Sequence, residues 1–195
     1  MRFLACCLVL ILAACCCAEE PAVQLPKTQF KLNPSDPAWL GAAVQLHGHL
    51  GPWLVAGVRI GAAGLRTAGA DGYFDVDVNV EGPLALPPQA CFLDGLQVAT
   101  GATLGKRNLK WVEAPRLVVR VKNVRTGKTV VIRPTTAMME WIGSARGVPL
   151  SPANPNRAAI APSEEHGAKD SDNLDAIARR IAKASESEIL AISSE

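Results

Sequence analysis

The segment 73–81 constrains the fold more than any other part of this chain, because apolar and polar residues alternate along it. The alternating pairs are Phe74 and Asp75, Val76 and Asp77, Val78 and Asn79, and Val80 and Glu81. A period of two predicts a strand with one face on a hydrophobic core and the other in water. Such a strand is typical of an antiparallel or mixed sheet. The acidic face could bind a cation, but a solvated strand face explains it more simply.

The remainder of the chain predicts several helices and a pair of strands. Apolar spacing and the placement of prolines predict helices at 37–46, 52–68, 88–100, 135–142 and 173–184. Strands are predicted at 117–124 and 129–133, joined by a turn in which Gly127 supplies the backbone freedom. The apolar tail 189–192 is expected to dock on the domain. Helices and half-buried strands together predict an α+β fold.

The N-terminal residues 1–14 are predicted to be a signal peptide. Arg2 is the only charge near the start, and the apolar run 3–12 that follows is shorter than the about 20 residues a bilayer span needs. The next residues, Leu-Ala-Ala-Cys, resemble a bacterial lipobox that ends at Cys15. This predicts a lipid on Cys15, attachment to the membrane through it, and a place on the periplasmic or extracellular face of the cell envelope.

Cleavage after Ala18 is the alternative, and it would leave a secreted chain without a lipid. In the lipoprotein interpretation, residues 15–34 form a tether and residues 35–192 form one domain. The segment 143–172 is rich in Pro, Ser, Asn and Ala and has no apolar face. We expect it to be a long surface loop, longer than compact domains usually contain.

Charge and cysteine content argue against a nucleic-acid-binding protein and against a disulfide-stabilised domain. The formal net charge is +2 and no basic run is present, so nucleic acid is not an expected partner. Of the six cysteines, only Cys91 lies outside the N-terminal signal and its immediate neighbours. A disulfide framework is therefore absent from the domain.

Cys91 is a candidate metal ligand because of its predicted place near the start of a helix. The partial positive charge of a helix N-terminus favours the thiolate, which is the form that binds metal. Asp94 follows three residues later on the same face and is a candidate proton carrier. The alternative is a buried cysteine that serves only in packing.

His47 and His49 are two further candidate ligands, set in the sequence LHGHLGP. Residues two apart on a regular helix point in nearly opposite directions and could not share an ion. A loop relaxes this constraint, and Gly48 and Gly51 provide the freedom to form one. Together with Cys91, the histidines would give three ligands and an open position, as in catalytic zinc sites. The alternative is that one histidine caps the next helix while the other is exposed.

The loop sequence GATLGK contains a candidate anion or substrate site formed by Thr103, Gly105 and Lys106. Glycines, a hydroxyl and a lysine can form a backbone nest with a positive charge beside it. The spacing is not that of a Walker A motif, which excludes an NTPase of that class. An ordinary loop at the exit of a helix explains these residues equally well.

The stretches HGHLGPWLVAGVRIG and CFLDGLQVATGATLGKRNL together resemble the E-subunit family of formylmethanofuran dehydrogenase. The resemblance continues through VKNVRTGKTVVIRP and, more weakly, ARRIAKASESEILAI, so that it covers 36–192. It implies an α+β domain with helices packed on a mostly antiparallel sheet, often as a homodimer. It also implies a metal site built from His47, His49 and Cys91 with Asp94 adjoining, zinc being the expected metal.

The chain departs from the family at two positions, because many members carry cysteine where it has Gly51 and Ala102. Chemistry that needs two or three thiols is therefore not expected. The favoured function is a metal-binding domain without assigned catalysis. The alternative is a metal-dependent enzyme in which Asp94 carries a proton and Lys106 holds a small anionic substrate. An interaction protein with no working site is a third possibility. Neither a nucleophile elbow nor an HExxH motif is present, and enzyme status stays open.

Overall fold

The computed structural model describes residues 24–144 and 168–195, with the side chains of 168–172 excepted. In chain order its elements are α1 (Trp39–His47), α2 (Pro52–Ala68), β1 (Val76–Gly82), α3 (Cys91–Thr100), β2 (Leu109–Glu113), β3 (Val118–Asn123), β4 (Thr129–Pro134), α4 (Thr136–Ser144), α5 (Ala168–Lys183), α6 (Glu186–Ile189) and β5 (Leu190–Ser194). The predicted signal peptide 1–14 and residues 15–23 of the predicted tether, Cys15 among them, lie outside the described residues, as does 145–167 of the predicted loop.

The strands form one five-stranded sheet in the order β2-β1-β3-β4-β5. Only β1 and β2 run parallel, and the other three pairings are antiparallel. The predicted strand pair is confirmed as β3 and β4, and the predicted C-terminal tail docks as β5 at the edge of the sheet. The α+β fold with a mostly antiparallel sheet is thus confirmed.

Strand β2 was missed by the sequence analysis, because it lacks a period of two. Of its five residues only Leu109 is buried, and Val112 is 59% exposed. Its place is set by long-range contacts instead. Leu109 lies opposite Val78 of β1, and the Trp111 indole N–H donates to the carbonyl of Gly82 at 3.0 Å.

The alternation along β1 is confirmed, but the prediction that Phe74 belongs to its buried face is wrong. Val76, Val78 and Val80 are buried, whereas Phe74 is 82% exposed. The strand starts only at Val76 because the preceding residues form a turn, in which Tyr73 takes a left-handed φ of 57°. The Asp75 carboxylate closes this turn by accepting the Asp71 N–H at 2.8 Å. Phe74 therefore does not continue the buried face.

Basic residues of β3 lie beside the acidic face of β1. Arg120 donates to Glu81 at 2.5 Å and to Glu195 at 2.9 Å, and Lys122 lies opposite Asp77 in the strand register. These carboxylates hold the pKa of the Arg120 guanidinium above its usual value through hydrogen bonds and charge, which outweigh a smaller effect of burial. This arrangement supports the solvated strand face over a cation site.

Helix α2 forms the centre of the core, and glycines let it approach its neighbours closely. A Cβ on Gly57 would lie 2.1 Å from the Phe92 carbonyl oxygen, and one on Gly95 would lie 2.1 Å from that of Leu54. A Cβ on Gly64 would lie 2.5 Å from Val121 on the sheet. Only glycine fits at such crossings. One turn further along α2, a Cβ on Gly61 would meet Ala99 and Thr100, one turn further along α3 than the Gly95 that Gly57 faces. Helices α2 and α3 therefore run in the same direction and begin at the same end of the domain.

The C-terminal end of α5 is fixed to α2 by Arg59. Its guanidinium donates to the carbonyls of Ile181, Ala182 and Ala184 at 2.7–3.0 Å. These carbonyls have no partner within the helix, so the arginine acts as a C-terminal cap. Burial lowers the pKa of this guanidinium, although the charge of Glu186 opposes the shift.

Helices at the predicted positions are confirmed with small changes in their ends. The helix expected from residue 88 begins as an α-helix at Cys91, after a turn at 87–90. Gly143 and Ser144, expected in the long loop, close α4, and residues 168–172 open α5. In the part of the chain that the structure describes, no helix has the length and apolar character needed to cross a bilayer.

Candidate metal centre

Helix α1 ends at His47 because Gly48 leaves the helical conformation. Gly48 has a φ of 98°, in the left-handed region, and its N–H donates to the Val44 carbonyl at 2.7 Å. This is the usual way in which a glycine ends a helix. The turn brings the rings of His47 and His49 to a centroid distance of 4.6 Å. The two histidines are therefore neighbours, as a loop permits and a continuous helix would not.

His47 is held by a carboxylate from the opposite side of the site. Its Nδ1 lies 2.7 Å from Oδ2 of Asp94 on α3, and its side chain is only 10% exposed. The Gln97 amide donates to the other oxygen of Asp94 at 3.2 Å. Asp94, a candidate proton carrier in the sequence analysis, thus serves as the hydrogen-bond partner that orients His47.

The second ring nitrogen of His47 is buried and, among the described residues, has no hydrogen-bond partner. When Nδ1 carries the proton and donates it to a carboxylate, Nε2 presents its lone pair. A buried nitrogen without a partner is uncommon in a folded protein and calls for an explanation. A metal ion is one ligand that such a nitrogen accepts, and the carboxylate–histidine arrangement is typical of metal sites.

Cys91 and His49 line a cavity near His47 and Asp94. Cys91 is half-buried as the first residue of α3, and both side chains line the cavity together with Gly51. A Cβ on Gly51 would lie 3.5 Å from Nε2 of His49. The structure therefore brings the His loop and the start of α3 to one end of the domain, as the parallel course of α2 and α3 requires.

These side chains do not form a closed coordination shell in this conformation. Among the described side chains, those of 24–144 and 173–195, no three from His, Cys, Asp or Glu are close enough together to hold a metal ion. The donor set of imidazole and thiolate suits zinc, and the buried Nε2 provides one ligand position. Binding would need His49 or Cys91 to turn toward it, and Gly48 and Gly51 flank His49 with the necessary freedom.

Positions 51 and 102, at which the family resemblance leads one to expect cysteine, lie far apart. Gly51 is at the cavity, whereas Ala102 is fully buried beyond the other end of α3. With ten residues, α3 is about 15 Å long. Of the two thiols that this chain lacks, only one at position 51 would reach the candidate site.

The candidate anion loop also lies at that far end. Its polar atoms are used within the loop, since Thr103 Oγ1 accepts the Lys106 N–H at 3.1 Å and the Thr103 N–H donates to Asn108 at 3.0 Å. The Lys106 ammonium lies 5.7 Å from the centre of the Phe74 ring, and Gly105 is exposed. The distance along α3 separates Lys106 from Cys91, so the two could not hold one small ligand.

The sequence analysis did not identify the apolar residues of the cavity wall. Among them, Trp53, Ile142 and Leu174 line the cavity from α2, α4 and α5. Trp53 could have been suspected, because it follows directly on the His loop. Ile142 and Leu174 lie far along the chain, and their apolar character is shared by every core residue. No sequence signal distinguishes them.

A family model described as "FmdE, Molybdenum formylmethanofuran dehydrogenase operon" matches residues 46–191. The match therefore starts just before His47 and extends into β5, so it includes the His loop, Cys91 and Asp94. Its description associates the family with the operon of a molybdenum enzyme. A search of curated protein sequences finds no match to the chain.

Proposed function

This chain belongs to the FmdE family, and on that premise we propose that its domain binds a transition metal ion, zinc in the first instance. The ligands would be Nε2 of His47, the imidazole of His49 and the thiolate of Cys91. The observation that carries the proposal is the buried Nε2 of His47, with Nδ1 held by Asp94 at 2.7 Å.

The environment of His47 favours a metal over simple burial. A buried polar atom without a hydrogen-bond partner lowers the stability of a fold by about 1–3 kcal/mol. A ligand bound to Nε2 of His47 would remove this penalty. A metal would use the lone pair of Nε2, and donation of the Nδ1 proton to the Asp94 carboxylate would fix the tautomer and orientation of the ring.

His49 and Cys91 support the same proposal from the other side of the site. The His49 ring lies 4.6 Å from that of His47, on a loop that leaves its side chain accessible. Cys91 opens α3, where the helix N-terminus favours the thiolate form. When bound, zinc would supply Lewis acidity at an open position. Asp94 and the loop would position the ligands.

We further propose that a lipid on Cys15 displays the domain on the cell envelope. The first described residues run beside the His loop, since Pro26 accepts a hydrogen bond from Gln45 at 2.9 Å and Thr28 donates to the Gly48 carbonyl at 3.2 Å. From Cys15 to residue 24 an extended chain reaches about 30 Å. The tether would thus hold the candidate metal centre near the membrane surface.

We also propose that the domain forms a homodimer, as the family resemblance implies. Light scattering in solution would test this.

Metal content tests the central proposal. The full-length chain, purified in detergent after growth with added zinc, should hold about one zinc per chain. Cys91→Ser and His47→Ala should each lower this content by more than half, whereas Asp77→Asn on the surface of β1 should not. A wild-type chain without stoichiometric metal under these conditions would overturn the proposal.

The anchor needs a separate test. Labelling with radioactive palmitate should mark the wild-type chain and leave Cys15→Ser unmarked. If neither chain is labelled, or both are, the lipid on Cys15 is refuted.

A further inference from the structure

One end of the domain presents exposed apolar side chains next to basic ones. Three loops form this surface: 69–75 after α2, 101–108 after α3, and 124–128 between β3 and β4. We call the three together the loop face. Because α2 and α3 both end there, the loop face lies at the opposite end of the domain from the His loop.

Hydrogen bonds join the three loops into one surface. The Asn108 amide donates to the Tyr73 carbonyl at 2.5 Å, and the Val124 N–H donates to the Asp75 carbonyl at 2.8 Å. Tyr73 and Arg107 hold left-handed φ angles of 57° and 60°, a conformation that residues other than glycine rarely adopt. The fold therefore fixes the shape of these loops and the side chains that they expose.

The exposed side chains of the loop face include two aromatic rings. Phe74 is 82% exposed, Tyr73 is 66% exposed and Leu104 is 72% exposed, while Val124 is half-buried. At about 200 Å² for a whole aromatic side chain, Tyr73 and Phe74 alone expose about 300 Å². An apolar patch of this size on a single chain often marks a binding surface.

The loop face is also positively charged. It contains four basic residues and two acidic ones, and both carboxylates, those of Asp71 and Asp75, are bonded to Arg125. The other three basic residues, Lys106, Arg107 and Lys128, are thus left without a carboxylate of this face. The Lys106 ammonium lies 5.7 Å from the centre of the Phe74 ring, so charge and apolar surface are side by side.

This combination fits an anionic lipid surface better than a protein surface. A second copy of the chain docked through the same face would bring like charges together, which is unfavourable. Lysine is depleted in protein interfaces, whereas aromatic rings are enriched there. At a bilayer, by contrast, the rings enter the interface and the lysine and arginine side chains extend to the headgroups.

We propose that the loop face docks on an anionic bilayer, with Phe74 and Leu104 in the interface and Lys106 and Arg107 among the headgroups. Docking in this way does not require a lipid on Cys15 but is compatible with one. Helix α2 has 17 residues and separates the two ends of the domain by about 25 Å. The extended chain from Cys15 to residue 24 reaches about 30 Å, so both could contact one bilayer.

A tryptophan at each end of the domain reports which end contacts the bilayer. The full-length chain is reconstituted into vesicles of phosphatidylglycerol and phosphatidylcholine whose acyl chains carry bromine, which quenches the fluorescence of a tryptophan in contact with them. Phe74→Trp should be quenched more strongly than wild type, which gives the contribution of the native tryptophans. Leu46→Trp, at the end of α1, should be quenched no more than wild type. Both positions are exposed, so the core is not disturbed.

Charge variants test the anionic lipid. In the Phe74→Trp chain, Lys106→Gln with Arg107→Gln should remove most of the additional quenching, because each basic residue at an anionic surface strengthens binding by about five-fold. Vesicles of phosphatidylcholine alone should have the same effect. Lys27→Gln with Lys31→Gln, at exposed positions before α1, is the matched control. It should leave the quenching unchanged, since a charge far from the bilayer is screened by salt.

Each contrary result refutes a defined part of the proposal. Quenching of Leu46→Trp without quenching of Phe74→Trp would place the His loop on the bilayer and overturn the proposal. Quenching that is insensitive to phosphatidylglycerol and to Lys106 and Arg107 would refute the anionic lipid. If neither tryptophan is quenched, a lipid partner is refuted and an acidic protein surface is favoured. Palmitate labelling tests the lipid on Cys15 separately, so the two proposals can fail independently.

Discussion

His47 and Asp94, 47 positions apart in the sequence, share a hydrogen bond of 2.7 Å that joins the end of α1 to the first turn of α3. The bond fixes which ring nitrogen of His47 faces the interior. It also ties the His loop to the helix that begins with Cys91. The His loop and the start of α3, which the sequence predicts to form one metal site, are therefore in direct contact. The contact is made by Asp94, which the sequence suggests as a proton carrier.

Removal of the Asp94 carboxylate should weaken metal binding about 10–100-fold, the usual effect of losing such a partner. The variant is Asp94→Ala, and a competition titration against a chelator gives the affinity. Asp94→Asn keeps an oxygen that can accept the Nδ1 proton, and it should lose less. Asp77→Ala on β1 is the control. Equal affinity in Asp94→Ala and wild type would show that the bond does not orient a ligand.

Gly48→Ala should destabilise the fold by about 1–2 kcal/mol, because alanine does not readily adopt a left-handed φ. Urea unfolding monitored by circular dichroism measures this. Gly48→Asn should cost less, since asparagine tolerates that region better. Gly143→Ala in α4 is the control, because a Cβ there meets nothing within 4 Å. An alanine at 48 that costs nothing would mean that the loop does not require the observed turn.

Gly57→Ala should be more damaging than Gly48→Ala, at about 3 kcal/mol or more. Its Cβ would lie 2.1 Å from the Phe92 carbonyl, so α2 and α3 must move apart. This separation would also move Cys91 and Asp94 away from the His loop. We expect the unfolding midpoint in urea and the metal affinity to fall together. A stable Gly57→Ala chain with normal packing would contradict the close helix crossing.

Stability in acid should depend on Asp36, whose side chain has no exposed surface. Burial alone would raise the pKa of its carboxyl. Hydrogen bonds from the Asn33 N–H and Arg179, with the charges of Arg179 and Lys183, outweigh burial and hold the pKa below the ordinary 3.8. Because the folded pKa is lower than the unfolded one, the stabilisation is present at neutral pH and is lost as the pH falls below about 3.8.

The corresponding measurement compares urea unfolding of wild type and Asp36→Asn between pH 6 and pH 3. The wild type should be the more stable at pH 6, and its advantage should shrink as the pH falls. A constant difference across this range would show that the Asp36 carboxylate contributes no acid-sensitive stability.

Sequence patterns predicted the elements whose stabilising contacts are periodic. The buried valines of β1, the turn at Gly127 between β3 and β4, and the long apolar face of α2 all follow from local spacing. Strand β2 did not, because one buried leucine and a tryptophan hydrogen bond fix it against β1. Phe74 was misplaced since a turn closed by Asp75 ends the alternation before the strand begins.

The candidate site was predicted only in part for a similar reason. Residue chemistry and glycine content pointed to His47, His49 and Cys91, and the structure places them at one end of the domain. The pairing of His47 with Asp94 depends on the parallel packing of α2 and α3, which the glycine crossing at Gly57 permits. No local pattern encodes that crossing, so the role of Asp94 was visible only in the fold.

The proposed metal site depends on Nε2 of His47 binding the ion while Asp94 holds Nδ1. Long-range ¹⁵N–¹H NMR of the full-length chain distinguishes the two ring nitrogens, and the His47→Ala variant identifies the signals. We expect Nδ1 of His47 to carry the proton and the Nε2 resonance to shift when one equivalent of zinc is added. A proton on Nε2, or an Nε2 resonance that zinc leaves unchanged, would contradict the proposed site.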